Sequence, residues 1–138
     1  IRKRVEGARA ALAEAGLALP DALLFVRPAS GDAGCQVVDA ILDQWHGVDA
    51  LVCGGDVFAV AALLGAQRRG ARVPTDLAIA GFGGFEIGAL LTPALTTVEV
   101  RGTDIGAAAA RLLLDRLDGK PVQRTVDVGF SLALRGST

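Results

Sequence analysis

The stretch AIAGFGGFEIGALLTPALTTVEV, residues 78–100, decides the fold of this chain. An apolar run that begins at Leu77 passes directly into the glycine-rich segment 81–85. The only ionisable side chains between residues 78 and 100 are those of Glu86 and Glu99. A short apolar run that ends in glycine is typical of a buried strand followed by a tight turn. The abundance of glycine, with no catalytic group beside it, requires an explanation.

Two similar apolar runs precede this one at a regular spacing. The runs begin at Ala22, Ala50 and Leu77, which are 28 and 27 residues apart. Amphipathic segments lie between them, and Asp32 and Asp56 are candidate caps for two of the helices. We predict strands at 22–26, 50–53 and 77–80, and helices at 1–15, 33–45 and 57–69. This alternation predicts an α/β fold with a Rossmann-like parallel sheet built from βαβ units.

The regular alternation of apolar runs and amphipathic segments ends after Leu91. Residues 95–100 have the pattern of an extended segment, and Thr103 or Asp104 begins a predicted helix that continues to Leu117. Gly119 and the following Lys-Pro end it. The alternating segments 122–128 and 130–134 indicate two final strands or one bent strand.

Composition excludes several classes of protein. The 138 residues carry a formal net charge of −1, which argues against a chain that binds nucleic acid by itself. The longest charge-free apolar run, 87–98, has 12 residues and includes a proline, so we expect no membrane-spanning helix. Cys35 and Cys53 form no metal-type pair, and we expect them to be reduced, buried thiols with no metal.

Motifs of common enzymes are missing from the sequence. There is no P-loop and no nucleophile elbow, and the only histidine is His46. The segment GFGGFEIG fits the dinucleotide fingerprint only loosely, because Glu86 stands where the third glycine belongs. We therefore predict a binding protein without a cofactor and not an enzyme.

A binding site is predicted at one edge of the sheet. In an open parallel sheet, ligands bind beyond the carboxyl ends of the strands, which here are followed by residues 27–30, 53–56 and 81–85. Glycine lets the backbone approach a ligand, and helix N-termini favour an anion or a hydroxyl-rich molecule. Each feature also has a purely structural interpretation. The glycines can serve a tight turn, Asp56 can be a plain cap, and Arg4 and Arg27 can be solvated.

Four segments together resemble the effector-binding part of the LacI/GalR family of bacterial transcription repressors. They are DALVCGGDVFAVAALLGAQRRGARVPTDLAIAGF, LLTPALTTVEV, IGAAAARLLLDRLDGK and the closing LRGST. The resemblance implies a fold like that of periplasmic sugar-binding proteins, in which two Rossmann-like lobes close on a small molecule. It also implies a cytoplasmic homodimer that binds operator DNA through an upstream helix-turn-helix outside this chain, with no membrane partner.

The resemblance also implies how the chain divides. Residues 1–95 correspond to the C-terminal lobe, 96–122 to a crossover and a helix of the N-terminal lobe, and 123–138 to the returning strands. The helix near 104–117 would then lack most of its neighbours here. Hinge crossings need a few residues that absorb backbone rotation. The candidates are Thr96, Thr97, Val98 and Glu99.

Effector contacts carry over from the family to matching positions. Arg4, with Gly7, matches an R-x-x-G motif whose arginine contacts the ligand, and Gly55-Asp56 stands where many relatives have Asn-Asp. Gly83 replaces an aspartate that grips ligand hydroxyls in many relatives, a departure that weakens the case for a neutral sugar. Ala29 occupies a position where an aromatic residue often stacks on the ligand.

Two further segments resemble the gluconate-utilisation repressors, namely GFEIG at 84–88, whose Gly84 we place at the ligand, and DVGFSL at 127–132. Arg4 and Arg27 near one sheet edge could hold a carboxylate. We therefore expect a sugar acid or sugar as effector. A secreted or periplasmic sugar-binding component of a transporter, with the same fold, is the alternative.

Overall fold

The computed structural model describes residues 2–28 and 30–138 and contains one four-stranded sheet of order β1-β2-β3-β4. The first three strands are parallel, and β4 runs antiparallel to β3. The strands are β1 (Ala50–Val52), β2 (Ala78–Gly83), β3 (Thr96–Val100) and β4 (Phe130–Ala133). The helices are α1 (Arg2–Glu14), α2 (Gly31–Gln44), α3 (Asp56–Arg68), α4 (Glu86–Ala89) and α5 (Gly102–Leu117). The predicted mainly parallel α/β architecture is confirmed.

The core lies between the sheet and the helix pair α2–α3. Leu77 and Ile79 are fully buried, as the alternation of side chains along a strand requires for one face. Val38 of α2 and Leu63 of α3 are equally inaccessible. The two helices approach closely at Gly34, where a Cβ would lie 2.5 Å from the carbonyl oxygen of Phe58. Small residues on both helices therefore set the helix spacing.

Three sequence-based predictions of local structure are wrong. Residues 22–26 form no strand: a 3-10 turn occupies Asp21–Leu23, and Leu24 is extended (φ −96°, ψ 96°) without a neighbouring strand to pair with. Residues 122–128 likewise pair with no strand of the sheet. Helix α2 starts before Asp32, because the Ser30 hydroxyl accepts from the backbone N–H of Ala33 and caps the helix instead.

Hydrogen bonds of the C-terminal segment join β2 and β3 at the end of the sheet opposite the glycine-rich loops. Ser137 is fully buried, and its hydroxyl donates to the Ile79 carbonyl at 2.6 Å and accepts from the Thr96 N–H at 2.8 Å. Its backbone adds bonds to Ile79 and to Ala94. These bonds tie the beginnings of β2 and β3 together.

Helix α5 and strand β4 present apolar side chains to solvent. No residue of α5 is buried, although the helix carries an apolar face. The most exposed of these large side chains are Leu113, Leu114, Leu117, Phe130 and Leu132. Across the described residues, every helix is too short or too polar to cross a membrane.

Candidate functional site

The carboxyl ends of β1 and β2 bring two glycine-containing loops together. Val52 pairs with Ala80 in the parallel ladder, so the segments 53–56 and 83–85 leave the sheet at the same edge. A Cβ on Gly55 would lie 3.9 Å from the carbonyl oxygen of Phe82. The site predicted from the sequence therefore has two of its three loops side by side.

Arg4 reaches this edge from helix α1. Its guanidinium carbon lies 3.5 Å from the centroid of the Phe82 ring, and Nη1 donates a hydrogen bond to the Gly54 carbonyl. Stacking on an aromatic face and one backbone bond fix the planar group while leaving other N–H donors free to contact a ligand. Arg4 is thus the one predicted arginine that the structure places at the ends of both β1 and β2.

Asp56 lies behind the loops. The residue is 1% exposed, and each carboxylate oxygen has a partner. Oδ1 accepts from the Thr97 hydroxyl at 2.6 Å, and Oδ2 accepts from the Phe85 backbone N–H at 2.7 Å. As the first residue of α3, it also gains from the positive end of the helix dipole. Its contacts hold protein segments, and almost none of its surface is open to a ligand.

The glycines at the end of β2 have specific structural reasons. A Cβ on Gly81 would lie 2.2 Å from Oδ1 of Asp56, so the buried carboxylate occupies the space that a side chain would need. Gly84 has φ of +77°, and a Cβ there would lie 3.1 Å from the Cα of Glu99. Close contacts with Asp56 and with Glu99 of β3 therefore account for glycine at positions 81 and 84 without any ligand.

The second predicted arginine is not brought into contact with the first. Arg27 is exposed, and its Nη1 donates to the carbonyl of the preceding Val26 at 2.9 Å, the one side-chain hydrogen bond it makes among the described residues. Ala29, the remaining position predicted in this loop, lies outside the described residues. A ligand contact by either residue stays a prediction.

The predicted hinge residues Thr96 to Glu99 form most of strand β3. Thr96 and Thr97 are buried, whereas the Glu99 carboxylate accepts from Arg135 at 3.0 Å and from Ser131 at 3.3 Å. These bonds join the outgoing strand to the returning one. Arg135 is not among the residues predicted from the sequence, although it belongs to the closing LRGST segment.

Cys53 borders the site and is buried. Burial, together with the nearby negative charge of Asp56, raises the pKa of its thiol to about 12 from the usual 9.0. Since an unfolded chain ionises this thiol near 9.0, the folded state loses stability as the pH rises above that value.

We expect Cys53 to resist iodoacetamide at pH 9 in the native protein and to react rapidly in denaturant. Mass spectrometry of the Cys53 peptide tests this, and rapid native alkylation would contradict it.

Comparisons with known proteins identify the family of this chain. The family model described as a periplasmic binding protein-like domain matches residues 1–138. The HTH-type transcriptional repressor PurR of Klebsiella pneumoniae is 32% identical over 85% of this chain. The match covers 34% of that repressor, so the chain spans about a third of its length.

Two solved structures are similar along almost the whole chain. The transcription regulator GntR from Chromobacterium violaceum is 41% identical, with a TM-score of 0.89 over 99% of this chain and 51% of that one. A sugar-binding LacI-family regulator from Escherichia coli, solved in complex with phosphate, is 27% identical, with a TM-score of 0.86 over 98% of this chain and 49% of that one. The chain belongs to the family of periplasmic binding protein-like domains, and its relatives are LacI-family transcription regulators.

Proposed function

We propose that this chain is the effector-sensing and dimerising part of a cytoplasmic DNA-binding repressor, and that its effector is a sugar acid such as gluconate. The observation that carries the proposal is the position of Arg4, stacked on Phe82 and bonded to Gly54 at the carboxyl edge of the sheet. A guanidinium held in this way is suited to bind a carboxylate through two parallel hydrogen bonds.

Gly83 supports an acidic ligand over a neutral one. The resemblance to the LacI/GalR family implies an aspartate at this position in many relatives, which would add a negative charge beside the ligand, whereas Gly83 adds none. Residue 83 therefore offers no carboxylate that competes with the ligand for Arg4, and the Asp56 carboxylate behind the loops already accepts from Phe85 and Thr97. The phosphate in the Escherichia coli regulator is also an anion, which is compatible with an anionic ligand in this family.

The division of the chain is part of the proposal. Residues 1–95 would form one wall of the effector cleft, and β3, α5 and β4 would connect to a second lobe. The exposed apolar side chains of α5 and β4 support this division, since they need a covering surface. The repressor relatives favour a regulator over the alternative of a transport receptor.

DNA binding by the full-length protein tests the regulatory function. We expect a labelled fragment of the promoter upstream of its own gene to bind with a Kd below about 1 µM in physiological salt. Sodium gluconate should shift that Kd at least about fivefold, the usual lower range of allosteric coupling. Equal affinity for the promoter and for a scrambled duplex would refute the repressor function.

An apolar groove along α3 is the proposed surface for homodimerisation. Val57 and Leu64 of α3 face Phe85 and Ile87 of the adjoining loop and helix across the groove. All four side chains are between 44% and 52% exposed, although they are large and apolar. A second copy of the chain, packing the same surface against itself, would bury them.

Leu64→Glu in the full-length protein should weaken the dimer at least about 100-fold, because a charge would enter the centre of an apolar contact. Light scattering coupled to gel filtration measures the oligomeric state across concentrations. Leu17→Glu, at a residue that is 60% exposed and outside the groove, is the matched control and should stay dimeric. A dimer that persists in Leu64→Glu would place the interface elsewhere.

A further inference from the structure

The carboxylate of Asp56 joins three segments that are far apart in the chain. It begins helix α3, it accepts the N–H of Phe85 in the loop after β2, and it accepts the hydroxyl of Thr97 in β3. Asp56 and Thr97 are both almost completely buried. Salt bridges of the described residues do not include Asp56, so neutral donors and the helix dipole balance its charge.

The surrounding backbone is built around this carboxylate. A Cβ on Gly81 would overlap Oδ1, and a Cβ on Gly83 would lie 3.5 Å from Oδ2. Displacing the carboxylate would leave it buried without donors, which is costly for a charged group. Both hydrogen bonds therefore add to the β2–β3 ladder in holding the three segments in their relative positions.

We propose that Asp56 is a positioning residue that makes the loop Gly83–Phe85, the start of α3 and the crossover strand β3 move together. A ligand bound at the loop would then shift the position of Thr97, near the beginning of the crossover strand β3. The ligand part rests on the function proposed above, whereas the mechanical link between Phe85 and Thr97 does not.

The Phe85 N–H is the specific reporter of this link. The β2–β3 ladder already pairs Gly83 with Glu99, so a change at those residues can pass through the backbone. Phe85 lies beyond the ladder, and its N–H is bonded to Asp56. A change at the Thr97 hydroxyl can reach this amide through the carboxylate that both groups bind.

Two substitutions at Thr97 distinguish a specific link to Phe85 from a general effect on the stability of the fold. Thr97→Val keeps the shape and removes the hydroxyl, whereas Thr97→Ser keeps the hydroxyl and removes a methyl group. Residue-resolved hydrogen exchange on the ligand-free, full-length protein is the measurement. The reference is the Cys53 N–H, which is bonded to the Ala80 carbonyl at 2.8 Å and not to the Asp56 carboxylate.

We expect Thr97→Val to speed exchange at Phe85 about tenfold relative to Cys53, because the carboxylate loses one of its two donors. Thr97→Ser should stay within about threefold of the wild type by the same measure. Equal acceleration at Phe85 and Cys53 in Thr97→Val would mean that Thr97 contributes only stability. That result, or no change at Phe85, overturns the proposal.

Calorimetry with gluconate on the same variants tests the ligand part separately. Gluconate should bind Thr97→Val several-fold more weakly than Thr97→Ser, although neither side chain is open to the ligand. Equal affinities would overturn the ligand part. If gluconate does not bind even the wild type, the proposed effector is wrong, and the exchange result still decides whether Asp56 links Phe85 to Thr97.

Discussion

Gly81→Ala is expected to destabilise the protein by about 3 kcal/mol, the upper part of the range for overpacking a buried site. The new methyl carbon would lie 2.2 Å from Oδ1 of Asp56, 3.1 Å from the Cβ of Ala59 and 3.2 Å from Cδ2 of Leu95. None of these atoms belongs to a flexible, exposed side chain, so the carboxylate must leave its two donors or the strand must shift. Chemical denaturation of the full-length protein measures the change in the free energy of unfolding.

Gly54→Ala is the matched control for this prediction. Gly54 lies in the loop after β1, and a Cβ there meets no atom within 4 Å. We expect a change within about 0.5 kcal/mol, as is usual for exposed positions. Similar stabilities for Gly81→Ala and Gly54→Ala would show that the carboxylate has room to move, and would contradict tight packing around Gly81.

Arg4→Ala should weaken gluconate binding about 10- to 100-fold in the full-length protein. A hydrogen bond to a charged group contributes about 1.5–3 kcal/mol, and 1.4 kcal/mol corresponds to a tenfold change in affinity. Arg4→Lys should recover only part of the loss, because an ammonium group lacks the planar donor pair and stacks less well on Phe82. Isothermal titration calorimetry gives the affinities.

Arg2→Ala, on the same helix, controls for the loss of a positive charge. The Arg2 side chain is 87% exposed and pairs with Glu6 in the next turn of α1 at 3.4 Å. Its removal should leave gluconate affinity within about twofold of the wild type, since screened surface charges contribute little. Unchanged binding in Arg4→Ala would remove the observation that carries the proposed ligand class.

The fold could be predicted from the sequence where local pattern and tertiary structure agree. The apolar runs at Ala50 and Leu77, with amphipathic segments between them, are enough to specify two parallel strands and their helices. The run at 22–26 is equally apolar but does not join the sheet. A strand exists only when a neighbour satisfies its backbone, and the sequence pattern carries no information about that neighbour.

The sequence was enough to predict which edge of the sheet holds the candidate site, but not the hydrogen bonds that Asp56 makes within it. The topology of parallel strands fixes the edge at which Gly55 and Gly83 are found, whereas Arg4, which reaches this edge from α1, was named only through the family motif. The bonds from Asp56 to Phe85 and Thr97 span 29 and 41 residues, and no local motif encodes such distances. Only the structure reveals that Gly81 is required by a buried carboxylate.

Calorimetric titration of the full-length protein with D-gluconate and D-glucitol tests whether the cleft binds a sugar acid. The two molecules share their polyol chain and differ in one terminal group, a carboxylate or a hydroxymethyl. We predict that gluconate binds at least about tenfold more tightly, and that Arg4→Ala removes most of this preference. Equal binding of the two molecules, or tighter binding of glucitol, would contradict the assignment of this cleft to a sugar acid.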